Sequence, residues 1–300
     1  MSAAPLLEVE GLTRDFVLQR GLFGQPVRTL RAVDGVSFAI APGETLGLVG
    51  ESGSGKSTTG RMVLRLEEAS AGRIRFEGQD ITKLHGAALA PVRKRLQVVF
   101  QDPFSSLNPR LRVGESVGEP LRTHGMVASR AEQRERVAAL FAQVGLDPRF
   151  MDRFPHQFSG GQRQRIGIAR AIALGPKLIV ADEPITALDV SIQAQIINLF
   201  LDLQEQMGVA YLFIAHDLGM VRYLCHRVAV MLRGRIVEMG PVAQVFSDPR
   251  HPYTRALLSA APIPDPEREA QRRRISYEPV PPPPGAQLQE VAAGHWVMAA

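Results

Sequence analysis

Three hundred residues, 45% hydrophobic and 22% charged, describe an ordinary globular chain with room for one large domain or two modest ones. The net charge of +5 is mild and dispersed, which argues against a nucleic-acid surface, and the one cysteine, Cys225, excludes a disulfide framework or a clustered thiolate metal site. Of 35 basic residues only Lys56, Lys83, Lys94 and Lys177 are lysine, so a lysine inside a glycine loop stands out: a compact ammonium enters a phosphate pocket that a guanidinium fork does not.

The opening "MSAAPLLEVEGL" has no basic region followed by an apolar core and a cleavage site, so no signal peptide is expected. "LLEVEGLTRDFVL" and "RAVDGVSFAIAPGE" alternate apolar and polar residues around turns and predict strands of an antiparallel sheet. "TLGLVG" is a short apolar run stopping at glycine, a buried strand, and "KSTTGRMVLRLEE" follows with helical spacing. Between them lies "GESGSGKST": Gly50, Glu51, Ser52, Gly53, Ser54, Gly55, Lys56, Ser57 and Thr58. Strand, glycine loop, helix is the context in which backbone N–H groups turn inward around a polyphosphate and a helix N-terminus adds positive potential. Lys56 is placed to neutralise β- and γ-phosphates and Ser57 to ligate Mg²⁺.

"GRIRFEGQDI" predicts another hairpin, followed by a short helix and the apolar "QVVF", after which stands Gln101. "QDPFSSLNP" breaks regular structure. From about Val113 to Leu174 the spacing is helical, and "SRAEQRERVAALFAQVG" opens on serine and closes on glycine as capped helices do. "FSGGQRQRIGIARA" (158–171) puts a serine and two glycines, Ser159, Gly160 and Gly161, before a helix, a second place to hold an anion.

"LIVADE" (178–183) is an apolar strand ending in two carboxylates. Beside a phosphate loop, Asp182 suits Mg²⁺ and Glu183 suits the polarising of an attacking water, and Gln101 suits the same metal and water. "SIQAQIINLFLDLQEQMG" is a long helix, "VAYLFIA" (209–215) a buried strand far shorter than the roughly twenty residues of a membrane-spanning helix, and His216 ends that strand within reach of a γ-phosphate or water. The other histidines, such as His85, His124 and His295, are expected at the surface, and Cys225 as a small buried hydrophobe. "RVAVMLRGRIVEMG" predicts a final strand pair, while "APIPDPE" and "PVPPPPG" make the last forty residues a poor packer, extended or partly disordered. Strands alternating with helices predict an α/β fold with a mainly parallel sheet.

The order "GESGSGKST", Gln101, "FSGGQ", "LIVADE", "TALD" (186–189) and His216 resembles that of the ATP-binding cassette ATPases over about Leu7 to Pro262. The resemblance implies a P-loop NTPase core (1–102 and 172–247) with an antiparallel β subdomain, an inserted helical subdomain (103–171) and a C-terminal segment (248–300). It implies ATP and Mg²⁺ as cofactors, with Ser57, Gln101 and Asp182 on the metal, Phe16 stacking on adenine, and Lys56, Gln101, Glu183 and His216 at the reaction. Ser159, Gly160, Gly161 and Gln162 then close on the ATP of a partner subunit, and Asp189 lies at the subunit boundary. Three departures are conservative: Phe158 where leucine is commoner, Thr186 where serine is usual, and Phe16 without a tyrosine hydroxyl.

"DPRHPYTRALLSAAPIPDPE" (248–267), "QDPFSSLNPR" and "ALDVSIQAQIINL" resemble the oligopeptide/dipeptide importer ATPases, of the second-subunit type. That implies a second ATPase in a heterodimer, two transmembrane permeases, a solute-binding protein met indirectly, and a peripheral place on the cytoplasmic face of the inner membrane. A groove around Gln101 to Pro109 would receive a permease helix. Nickel or glutathione is an alternative cargo, and a non-transport cassette ATPase of repair or translation an alternative role. Members of that group often carry a C-terminal cysteine cluster before a "GHW"-like ending; here "GHWVMAA" follows a stretch with no cysteine, so no iron–sulfur cluster is expected.

Overall fold

The computed structural model describes residues 4–21, 25–102, 107–186, 188–216, 218–261, 273–278 and 286–299. By internal contacts the chain divides into two compact units, Met1–Lys83 with Leu212–Ala300, and Leu84–Tyr211.

In the first unit, β1 (Leu7–Arg20), β2 (Pro26–Ile40), β4 (Ala71–Phe76) and β5 (Gln79–Asp80) form a four-stranded antiparallel sheet in the order β2-β1-β4-β5. Alternation does what it predicts: Leu7, Val9 and Leu12 of β1 and Val36, Phe38 and Ile40 of β2 are buried, with Leu7 opposite Ile40 and Val9 opposite Phe38. A second set of strands, β3 (Thr45–Val49), β9 (Arg227–Leu232), β10 (Arg235–Pro241), β11 (Leu288–Ala292) and β12 (His295–Met298), runs in the order β11-β12-β10-β9-β3. Strands β3 and β9 are parallel and the others antiparallel. Every residue of β3 is buried, as a strand covered on both faces requires. Helices α1 (Lys56–Val63), α7 (Leu218–Leu224), α8 (Val242–Ser247) and α9 (Pro252–Ala260) complete this unit.

The second unit holds α2 (Ala90–Arg95), β6 (Leu96–Val99), α3 (Val113–Thr123), α4 (Arg130–Gln143), α5 (Gly160–Ile172), β7 (Leu178–Asp182) and α6 (Val190–Met207). Strands β6 and β7 are parallel. Ser129 caps α4 by accepting the Glu132 N–H at 3.1 Å, and Gly145 (φ 71°) follows its end, as the flanking residues predict. Helix α5 packs on both β6 and α6, so the helical segment expected at 103–171 belongs to one compact body with those elements. The unit boundary falls inside β8 (Ala210–Ala215), six consecutive buried residues. Just before it, the buried Tyr211 hydroxyl donates to Phe200 O at 3.1 Å and its ring meets Phe200 edge-on at 5.3 Å.

Two expectations are corrected. The final stretch is not a poor packer throughout: β11 and β12 form a hairpin whose second strand pairs with β10, Glu238 opposite Val297 and Met239 opposite Trp296. Proline content concealed a hairpin built on alternation and a glycine turn; residues 279–285, the whole of "PVPPPPG", lie outside the described residues. His295 is not a surface residue either, since it is 2% exposed and its Nε2 lies 2.8 Å from Glu238 Oε1. Cys225 is buried as expected, and burial pushes its thiol pKa far up, so it is inert as a thiolate.

Candidate functional site

The glycine loop follows β3 and ends where α1 begins. Gly50, Gly53 and Gly55 have φ of 149°, 79° and 103°. At two of them a side chain has no room: a Cβ on Gly50 would lie 2.2 Å from Met231 O, and on Gly55 2.4 Å from Ala32 O. The loop is therefore pressed against its own scaffold, and Ser54 O accepts the Gly234 N–H at 2.9 Å behind it. Lys56, 4% exposed, opens α1 and turns its ammonium back into the loop, donating to Gly50 O and Glu51 O at 2.8 Å each. Ser54 Oγ stands 3.4 Å from the same nitrogen. Glu51, Ser52 and Gly53 face solvent, Gly55, Ser57 and Thr58 are half-buried. Thr59 Oγ1 donates to Gly55 O at 3.0 Å and tightens the helix start.

In the same unit Phe16 is half-buried on β1 with the Arg14 guanidinium 4.6 Å from its ring centroid, a cation–π contact on one face. Arg14 is held in turn by Glu67. His216 stands exposed directly after β8.

In the second unit Asp182 ends β7 and Glu183 turns out of it. Glu183 has a φ of 46°, a left-handed backbone that is rare for a residue with a side chain and that aims its carboxylate off the strand. Gln101 Nε2 donates to Glu183 Oε2 at 3.0 Å, and Thr186 Oγ1 donates to the same oxygen at 3.3 Å. The sequence pattern puts Gln101 at the same metal and water as the two carboxylates; the direct bonds from Gln101 and Thr186 to Glu183 carry no such signal. After Leu188, the Asp189 carbonyl accepts from Ile192 and Gln193 N–H at 2.9 Å each, and Asp189 itself is exposed at the cap of α6. Ala187, within "TALD", lies outside the described residues.

Ser159 caps α5 with a reciprocal pair: Ser159 Oγ accepts the Gln162 N–H at 3.3 Å, and Gln162 Oε1 accepts the Ser159 N–H at 3.0 Å. The hydroxyl only accepts in this bond, so its own proton can be offered to an anion, beside the first-turn N–H groups of Gly160 and Gly161. The glycines also have a packing reason. A Cβ on Gly161 would lie 2.5 Å from Ile192 Cγ2, and one on Gly160 3.3 Å from Leu188 Cδ2. Gly161 is glycine because α5 passes so close to the start of α6. Phe158 is 5% exposed and meets Phe150 edge-on at 6.2 Å, so the departure from leucine is absorbed in packing.

Near Gln101 a cleft of about 320 Å³ is lined by residues including Val99, Phe100, Glu119, His124 and Arg170. Of the groove expected at Gln101 to Pro109, residues 103–106 lie outside the described residues. No helix among the described residues is long and apolar enough to cross a membrane.

Residues 33–186 match a family model described as "ABC transporter", and residues 237–285 one described as "Oligopeptide/dipeptide transporter, C-terminal region". The chain is 53% identical over 301 residues to the glutathione import ATP-binding protein GsiA of Salmonella typhimurium, covering 98% of this chain and 48% of that protein. It is 53% identical over 281 residues to GsiA of Pectobacterium atrosepticum, covering 94% and 45%. The chain thus spans about half the length of the curated relatives it matches. Among solved structures it is similar to a dimeric ATP-binding cassette, MJ0796, in a post-hydrolysis state bound to ADP and Pi (TM-score 0.70, 29% identity, 79% of this chain and 98% of that one). It is also similar to cbiO1 from Clostridium perfringens, part of the ABC transporter complex cbiONQ (TM-score 0.69, 28% identity, 81% and 91%). On the family match over more than half of its length, this chain belongs to the ABC transporter family and carries the C-terminal region of the oligopeptide/dipeptide transporters.

Proposed function

We propose that this chain binds and hydrolyses ATP and thereby powers an importer of small peptides, a class that includes the tripeptide glutathione. One observation carries the reading: Lys56, almost wholly buried, is folded back into a glycine loop whose backbone has no room for side chains at its ends. Such a loop is a preformed polyphosphate cradle. The relatives' printed names support import of glutathione, and the C-terminal match supports peptide cargo in general.

Lys56 would leave its carbonyl partners for the β- and γ-phosphates, which are stronger acceptors for an ammonium. Backbone N–H groups from Glu51 to Thr58 would line the phosphates, and Phe16 would offer its ring face to the base. By family resemblance Ser57, Asp182 and Gln101 would hold Mg²⁺, and their hydroxyl, carboxylate and amide oxygens are the hard donors that ion prefers. When bound, that ion would neutralise charge between the terminal phosphates. Glu183 would orient and deprotonate the attacking water, with the Gln101 amide and the Thr186 hydroxyl holding its carboxylate in place. His216 would hydrogen-bond the γ-phosphate or that water.

Ser159, Gly160, Gly161 and Gln162 would close on the nucleotide of a second cassette subunit, with Asp189 at the boundary. ATP would draw the pair together and hydrolysis release it. The relative solved as a dimer supports such pairing. A heterodimer with a second ATPase, two permeases seated near the Phe100 cleft, and a peripheral place on the cytoplasmic membrane face complete the proposal. Turnover per subunit measured across a dilution series tests it: the rate should rise with concentration, and a strictly monomeric sample working at full rate would overturn it.

A further inference from the structure

Behind the last core strands a buried polar chain runs from the C-terminal region to the glycine loop. It starts at Glu238 on β10, which has no exposed surface. Glu238 Oε1 accepts from the Arg250 N–H at 2.8 Å and from His295 Nε2 at 2.8 Å, and Oε2 accepts from the His251 N–H at 2.9 Å. A fully buried carboxylate is tolerated only with this kind of saturation. It pins the backbone just ahead of α9.

His251, 3% exposed, then caps α9, its Nδ1 accepting the Tyr253 N–H at 3.1 Å. Pro252 opens the helix without needing a partner for an N–H. Tyr253, 2% exposed, is thereby set at the second helical position, with its ring centroid 5.5 Å from that of Tyr277. Its hydroxyl accepts the Glu51 N–H at 3.0 Å, across 202 positions of sequence.

The contact falls at a telling place. The Glu51 nitrogen and the Gly50 carbonyl belong to one planar peptide group. Gly50 O accepts from Lys56 Nζ at 2.8 Å, so this one peptide is gripped at its oxygen by Lys56 and at its N–H by Tyr253. A rotation of the peptide would break both bonds at once.

We propose that Tyr253 is a positioning residue for nucleotide binding: the C-terminal region braces the glycine loop, fixing the Gly50–Glu51 peptide that opens it, on which Lys56 rests until nucleotide draws its ammonium away. The proposal rests on the reading that Gly50 to Thr58 holds nucleotide, and adds that the oligopeptide-type C-terminal region serves the loop of its own chain. Every member of the brace except His295 and the loop itself lies within residues 237–285, the stretch that matches that region. Loop order supplied beforehand by the brace is order that a bound nucleotide need not impose.

The test compares the full-length chain with Tyr253→Phe, which keeps the ring and removes the hydroxyl, and with Tyr277→Phe, a control in the same aromatic cluster. Without nucleotide, amide exchange of the peptide covering 50–58 should speed up by about tenfold in Tyr253→Phe and stay unchanged in Tyr277→Phe. Mg-ATP binding should weaken by about three- to tenfold, raising KM while kcat at saturation changes less than about twofold. Unchanged exchange in the loop, or a loss of kcat with KM intact, overturns the proposal. If the wild-type chain bound no nucleotide, the ATP reading would fall, whereas the exchange comparison would still decide the brace. Should Tyr253→Phe not fold, Glu238→Gln loosens the base of the same chain and should move exchange in the same direction, by less.

Discussion

Gln101 and Glu183 stand 82 positions apart, yet the Gln101 amide donates to Glu183 Oε2 at 3.0 Å, and the Glu183 backbone is left-handed at φ 46°. Such a backbone costs on the order of 1–3 kcal/mol and persists only where surrounding contacts impose it. Here the cost turns a carboxylate away from the strand that ends at Asp182.

Glu183→Gln should therefore keep nucleotide affinity and abolish turnover, because the side chain keeps its shape and loses its basicity. A fall in kcat of at least about 10²-fold with little change in ATP binding is expected. Lys56→Ala should differ in kind, weakening binding itself. Equilibrium binding alongside single-turnover hydrolysis separates the two.

Gly161→Ala tests the packing reason for the second glycine. Its new Cβ would lie 2.5 Å from Ile192 Cγ2, an atom on a stiff β-branched side chain. Overpacking of this kind costs about 1–3 kcal/mol, seen as a lower Tm. Adding Ile192→Ala should restore much of the loss, and a purely additive double variant would refute a direct clash.

Acid should loosen the region around α9. Burial lowers the pKa of His251 below its ordinary 6.5, an effect that the Glu238 charge opposes without reversing. The unfolded chain then binds more protons than the folded one between those two values, so stability falls as pH drops through 6.5 and levels off below the folded value. Arg250, Tyr253, Tyr277 and His295 are the other titratable groups at this cluster, and the three-donor shell of Glu238 ties it together. His251→Asn keeps an acceptor at the helix start and removes the titration. Its Tm should decline less than that of the wild type between pH 7.5 and 5.5, and parallel declines would refute the assignment.

Iron and acid-labile sulfide in protein purified without oxygen should be far below one per chain. Iron–sulfur clusters need several thiolates, and the sequence supplies one cysteine, which is buried with its thiol pKa pushed far up by desolvation. A stoichiometric cluster would overturn this expectation.

Much of the site was legible because its parts are local. "GESGSGKST" needs only a strand, tight glycine turns and a helix start, and the chain folds that stretch as its neighbours predict. The Ser159 cap with Gln162 three residues on is likewise written within four positions. What was not legible is what the chain brings from afar. The glycine at 161 reads as an anion site from its neighbours along the chain, and the clearance it gives Ile192 is not readable there. His295 reads as a surface residue because its partner, Glu238, lies 57 positions away on the strand its hairpin joins. Proline-rich composition likewise hides the hairpin that buries it.

By itself the sequence determined the order of elements, the glycine loop with its single lysine and the capped helices, because each depends on contacts within a few residues. Tertiary structure alone decided that Tyr253 reaches the Gly50–Glu51 peptide, that Gln101 and Thr186 share one oxygen of Glu183, and that a buried carboxylate anchors the C-terminal region. Hydrogen bonds of that range carry no pattern along the chain; they exist only once packing has brought a donor and an acceptor together and excluded the water that would otherwise satisfy both.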